Sequence, residues 1–248
     1  MEFHLVSQTG TTWQLQHGGN CLGIVHLTQN PFHCAHRNLT LELQDWDEII
    51  APAVISLLRR QCPEPLKYMV DSTEQQQIRF LRAGGFRLAR RCFVREFPRH
   101  QCKSPPAARL SLSRTHRGQP HWERCGALLL QKYIRQHESI SPLTATRTQF
   151  FEALPETVLY FESSGEIRHF AFVEDNEIAY LWSADAESRP LFLESVLYLI
   201  FARFETVTFE ADEHDTDAMA LRPFFEFWGN YTHNTYLLDE INTVREST

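Results

Sequence analysis

Two stretches of this chain follow the same course: strand, acidic loop, helix, a strand ending in Asp, a second helix, then an aromatic residue. In the first, Asp45 and Asp71 stand 26 positions apart and Phe86 follows 15 later; in the second, Asp185 and Asp212 stand 27 apart and Phe227 follows 15 later. Strands alternating with amphipathic helices at this spacing predict an α/β (α+β) fold of two modules, each a mixed, mostly antiparallel sheet flanked by helices. Ligands in such layers gather where strands end and helices begin.

At 248 residues and 43% hydrophobic content, the chain can bury one or two cores. No run approaches the roughly 18 apolar residues of a membrane span, because residues 191–201 are broken by Glu194 and Ser195. The opening residues carry no secretory pattern, and six scattered cysteines without a C-x-x-C read as reduced thiols, so a cytoplasmic protein is expected. Net charge divides sharply: +1 over residues 1–97, +7 over 98–135 and −15 over 136–248. A strongly acidic C-terminal region repels phosphate backbones, which argues against a nucleic-acid partner and for a cationic one.

A first module is expected over residues 1–97, a basic Pro-containing linker over 98–120 and a second module over 121–248. In the first, strands are predicted over 13–16, 22–27 and 39–43, a helix over 48–60 with Ile49, Ala53, Ile55 and Leu57 inward, a strand over 66–70, a helix with a capping box at Ser72 or Thr73, and a strand over 86–97. Gly84-Gly85 suits the left-handed turn after that helix. In the second, the order is ααβββαβαβ: helices over 121–136, with Leu128, Leu129 and Ile134 as its apolar side, and 146–154; strands over 157–162, 167–173 and 177–182; then a helix over 190–203, a strand over 205–211, a helix over 216–228 and a strand over 232–238.

The string Arg79-Phe80-Leu81-Arg82-Ala83-Gly84-Gly85-Phe86, and Asp217-Ala218-Met219-Ala220-Leu221 followed by Phe224, Phe225 and Phe227, resemble the last helix of the GNAT superfamily of N-acetyltransferases. The element order of residues 121–240 is similar to that of the whole family, whereas residues 1–97 lack its two opening helices. The resemblance implies acetyl-CoA as acyl donor and an amine, on a small molecule or peptide, as acceptor. It implies a general base to deprotonate the amine and a helix start that holds the CoA diphosphate. The matching segments, Ser183 to Pro190 and Asp45 to Pro52, contain no glycine and several acids, so a catalytically inactive binding or assembly protein on the same fold is the alternative.

Glu210-Ala211-Asp212-Glu213-His214-Asp215-Thr216-Asp217 is the densest ionisable run and falls at a strand-to-helix junction. Glu210 and Asp212 are the candidate general bases; Asp215 and Asp217 equally suit ordinary helix-start acids. Trp182, Ser183, Ser188 and Arg189 are the candidate donor-binding residues, and Tyr231 and Tyr236 candidate proton donors. Trp182, Tyr180, Phe170 and Phe172 also read as core rather than as an aromatic substrate cage. His33-Cys34-Ala35-His36 lacks a second ligand pair and reads as a surface loop, so no metal site is expected. A homodimer stands among the expected partners.

Overall fold

A computed structural model describes residues 2–239. The chain forms two compact α/β units. Of the described residues, 2–90, 139–144 and 233–239 make the first, and 91–138 and 145–232 the second.

The first unit carries β1 (Phe3–Thr9), β2 (Thr12–His17), β3 (Asn20–Asn30), β4 (His33–Leu43), α1 (Ala51–Gln61), β5 (Leu66–Asp71), α2 (Gln75–Ala83) and β12 (His233–Leu238). Strands β1 to β4 form an antiparallel meander, β5 joins β4 in parallel, and β12 pairs antiparallel with β5. Alternation turns Leu66, Tyr68 and Val70 onto one sheet face, where they pack with Ala51, Val54, Ile55 and Leu58 of α1 and Phe80 and Leu81 of α2. The inward face of α1 is therefore shifted from the expected set: Ile49 is 83% exposed, outside the helix. The capping box predicted at Ser72 or Thr73 does not form; Glu74 is the N-cap, and Gln75 Nε2 instead donates to the Ser72 carbonyl at 2.6 Å. Gly85, at φ +91°, makes the left-handed turn, while Gly84 stays helical.

The second unit carries β6 (Arg87–Pro98, from Arg91 on), β7 (Ser113–His116), α3 (Pro120–His137), α4 (Arg147–Glu152), β8 (Thr157–Ser163), β9 (Glu166–Glu174), β10 (Glu177–Ser183), α5 (Arg189–Phe201), β11 (Thr206–Asp212) and α6 (Thr216–Met219). Strands β7 to β10 run antiparallel in sequence, β11 joins β10 in parallel, and β6 pairs antiparallel with β11 from Thr206↔Pro98 to Asp212↔Cys92. Both units thus share one strand order. Each is completed by a strand from the other half of the sequence, β12 in the first and β6 in the second.

Within the predicted linker, β7 forms, and Ser195 Oγ of α5 accepts the Arg109 and Leu110 N–H groups at 2.9 and 2.8 Å. The helix predicted over 216–228 stops at Met219, since Pro223 has no N–H to continue it and its ring opposes the carbonyl four residues back. His33 opens β4 and is buried, rather than lying in a surface loop. The buried face of α3 is Trp122, Cys125, Leu129 and Lys132, whereas Ile134 is 48% exposed. Among the described residues no helix is long and apolar enough to cross a membrane.

Candidate functional site

In the second unit β10 and β11 pair only at Glu177↔Thr208 and Ile178↔Phe209. Beyond that point the strands part, leaving a wedge between the ends of β10 and β11, with the starts of α5 and α6 beside it. Lys132 of α3, 9% exposed, enters it: its ammonium donates to the Leu181 carbonyl at 2.7 Å, Asp215 Oδ1 at 2.8 Å and Asp217 Oδ2 at 2.9 Å. Arg189 Nη1 holds the other Asp217 oxygen at 2.8 Å. An ammonium with three acceptors is fully coordinated, so the Leu181 carbonyl on the β10 edge is already used.

The start of α5 carries a carboxylate of its own. Asp185 Oδ1 accepts the Ser188 N–H at 2.9 Å and its hydroxyl at 2.8 Å, while Oδ2 accepts from Arg168 at 2.8 Å. These contacts, Ser188's first, hold the Asp185 carboxyl far below the usual carboxylate range. Pro190 removes one more first-turn N–H. In the first unit Asp47 Oδ1 accepts the Ile49 N–H at 2.8 Å ahead of α1, and Pro52 stands in its first turn. Both acids lie five positions before the proline. The gap between β4 and β5, which pair only at Arg37↔Leu66 and Asn38↔Lys67, is spanned by Tyr68. Its hydroxyl lies against the Leu41 backbone and donates to Gln77 Oε1 at 3.2 Å, and burial pushes it up to about 12.

His169, fully buried, lies 2.7 Å from Ser188 Oγ through Nε2. Because the Ser188 proton is directed at Asp185, His169 donates to the hydroxyl rather than activating it. The order is therefore not that of a Ser-His-Asp triad, in which the base accepts the serine proton.

The expected site residues distribute as follows. Glu210 is exposed on β11, with Cys92 Sγ 3.9 Å away, and Asp212 ends that strand, accepting the His214 N–H at 3.3 Å. Asp215 is the N-cap of α6, and Asp217 joins the buried ion-pair network. Trp182 stacks on Phe170 at 5.3 Å and lines a cavity of about 440 Å³ with Leu128 and Arg168. Ser188, with Asp185 and Glu187, lines another of about 600 Å³. Ser183 ends β10, half-buried. Tyr236 belongs to the first unit's core, 1% exposed, which removes it as a proton donor. Glu177 and Tyr180 share a sheet face with Glu210: partial burial, then Glu210, then Glu174 raise the Glu177 carboxyl, and burial followed by Glu210 raises the Tyr180 hydroxyl.

Lys132 was not singled out from the sequence. The signal was there, since Cys125, Leu129 and Lys132 stand at i, i+4 and i+7 on the buried face of α3.

No family model matches the sequence, and no curated protein does. Solved structures do match. A GCN5-related N-acetyltransferase from Sphaerobacter thermophilus superposes with a TM-score of 0.54 at 9% identity, covering 94% of this chain and 81% of that one. The fold is GNAT-like. A second GNAT-family acetyltransferase, from Colwellia psychrerythraea, matches with a TM-score of 0.50 at 9% identity, over 92% of this chain and 85% of its own. At such identities the GNAT likeness is one of fold.

Proposed function

We propose that this GNAT-fold chain is a binding protein for a cationic amine, on a small molecule or a basic peptide, and that it does not use CoA. One observation carries the reading: in both units a carboxylate of the chain itself stands ahead of the helix that would face a diphosphate, Asp47 accepting the Ile49 N–H and Asp185 the Ser188 N–H. A second anion there meets like charge and finds one donor already taken. The residues present therefore do not fit the CoA diphosphate.

The cationic ligand follows from the Glu177, Glu210 and Glu174 face, where burial and then the two neighbouring carboxylates raise the Glu177 carboxyl and an ammonium relieves the repulsion. Calorimetric titration of the full chain with spermidine, an oligolysine peptide, CoA and acetyl-CoA tests the reading. Saturable polycation binding, weakened in Glu177→Gln and Glu210→Gln, together with silence toward millimolar CoA, is expected.

A second reading rests on the parting of β10 and β11, which leaves a strand edge where an extended thioester could lie. It makes the chain an acetyl-CoA-dependent N-acetyltransferase with Glu210 or Asp212 as base and Trp182, Ser183, Ser188 and Arg189 around the donor. Micromolar CoA binding lost in Arg189→Ala would establish it and end the first reading.

A further inference from the structure

The first unit holds a buried cation, Lys67, that forms no ion pair with a carboxylate among the described residues. Leu66, Tyr68 and Val70 face the helices, so Lys67 between them faces the opposite side of the sheet. Residues 139–144 lie over that side. The Thr144 N–H donates to the Phe32 carbonyl at 2.8 Å, its hydroxyl accepts the Cys34 N–H at 2.9 Å, and His33 Nδ1 lies 3.2 Å from the Pro142 carbonyl. Beneath this segment Lys67 is 7% exposed, and among the described residues its ammonium reaches one partner, Ser141 Oγ, at 3.5 Å.

The groups around it add positive charge. Arg90 acts on Lys67 through space, and His33 and His36 lie within its electrostatic reach. Asp239, the carboxylate felt by His36, is already gripped by Arg87 at 2.8 and 3.1 Å. A desolvated ammonium with three donors and a single long contact is costly unless something else meets it. Two further polar atoms beside it are buried and unmatched. Asn38 is the register partner of Lys67 on β4, and its Oδ1 has no hydrogen-bond partner among the described residues; neither does Nδ1 of His36, two residues earlier on the same face. Exchanging the two ends of the Asn38 amide, which is a matter of assignment, turns a donor into the same space. One imidazole tautomer makes His36 Nδ1 a donor too.

We propose that Lys67, His36, Asn38 and Ser141 form a binding site for a small oxyanion, a carboxylate or a phosphate. Ammonium, amide, imidazole and hydroxyl donors then meet the several lone pairs of one anion, and its charge supplies what the cluster lacks. The site is independent of the polycation reading, since it lies in the other unit and has the opposite ligand charge.

Thermal unfolding and calorimetry of the full chain with phosphate, sulfate and acetate, against chloride at matched ionic strength, test the site. A saturable rise in Tm with phosphate or acetate is expected, and comparing the two tells which oxyanion fits. Lys67→Met is expected to weaken that binding about tenfold or more. Asn38→Asp places a carboxylate beside the ammonium, so this variant should unfold at higher temperature without added anion and gain nothing further from it. A Tm that follows all salts alike, consistent with an ordered water only at Lys67, overturns the proposal; so does an oxyanion response undiminished in both variants.

Discussion

Lys132 on α3 and Asp217 at the start of α6 meet at 2.9 Å, and both are buried. Their contact fills the wedge that the parting of β10 and β11 opens, and Arg189 on α5 shares the same carboxylate. Three helices are thereby tied to one point beside the sheet.

Removing the ammonium takes that donor from the buried Asp217, the half-buried Asp215 and the Leu181 carbonyl. Lys132→Met is expected to lose about 3–5 kcal/mol of stability, read from the urea midpoint at unchanged slope. Because Asp217 is shared, the loss in a Lys132→Met, Asp217→Asn double variant should fall well short of the two single losses added together.

Tyr68→Phe keeps the packing of the ring and deletes the hydroxyl that donates to Gln77 of α2 and lies against the Leu41 backbone of β4. A loss of about 1 kcal/mol is expected. Equilibrium unfolding measures it, and a neutral result would show that the β4/β5 gap needs no polar closure.

His169 is held below its ordinary value, mainly by burial. The unfolded chain then binds a proton at a higher pH than the folded one, so stability falls as pH drops below about 6.5 toward the folded value. His169→Gln can still donate to Ser188 Oγ and does not titrate. Its Tm should decline less steeply with acid than wild type; because His33 and His36 are shifted the same way, the decline is reduced rather than abolished.

Asp185 behaves oppositely. Its carboxyl is depressed by Ser188 and then Arg168, so its contribution is present above the ordinary carboxylate value of about 3.9 and is lost as pH falls further. Asp185→Asn should unfold at lower temperature than wild type near neutrality, and the difference should shrink in acid below that value. A gap that stays constant with pH would show that the carboxylate's charge is irrelevant there.

The sequence reading locates β8 to β10 from their runs of β-branched and aromatic residues between turn signals, although their burial does not alternate: residues 169–173 of β9 are buried without a break. It misses β1, most of whose side chains are exposed, and β7, four residues without an apolar side chain. Around the candidate site, Asp185, Ser188 and Arg189 are sequence neighbours and were readable together. Lys132 lies 83 and 85 positions from Asp215 and Asp217, and no local pattern joins them.

The sequence by itself determined the alternation of strands and helices and the repeated acid-to-proline spacing ahead of α1 and α5. Those properties depend on side-chain period and on contacts within a few residues. Only the tertiary structure decided which face of α1 and of α3 turns inward, that β6 completes the second unit and β12 the first, and that Lys132 meets the Leu181 carbonyl at the edge of β10. Strand ladders are made by backbone groups common to every residue, so a strand's pattern says which side is buried but not which strand lies beside it.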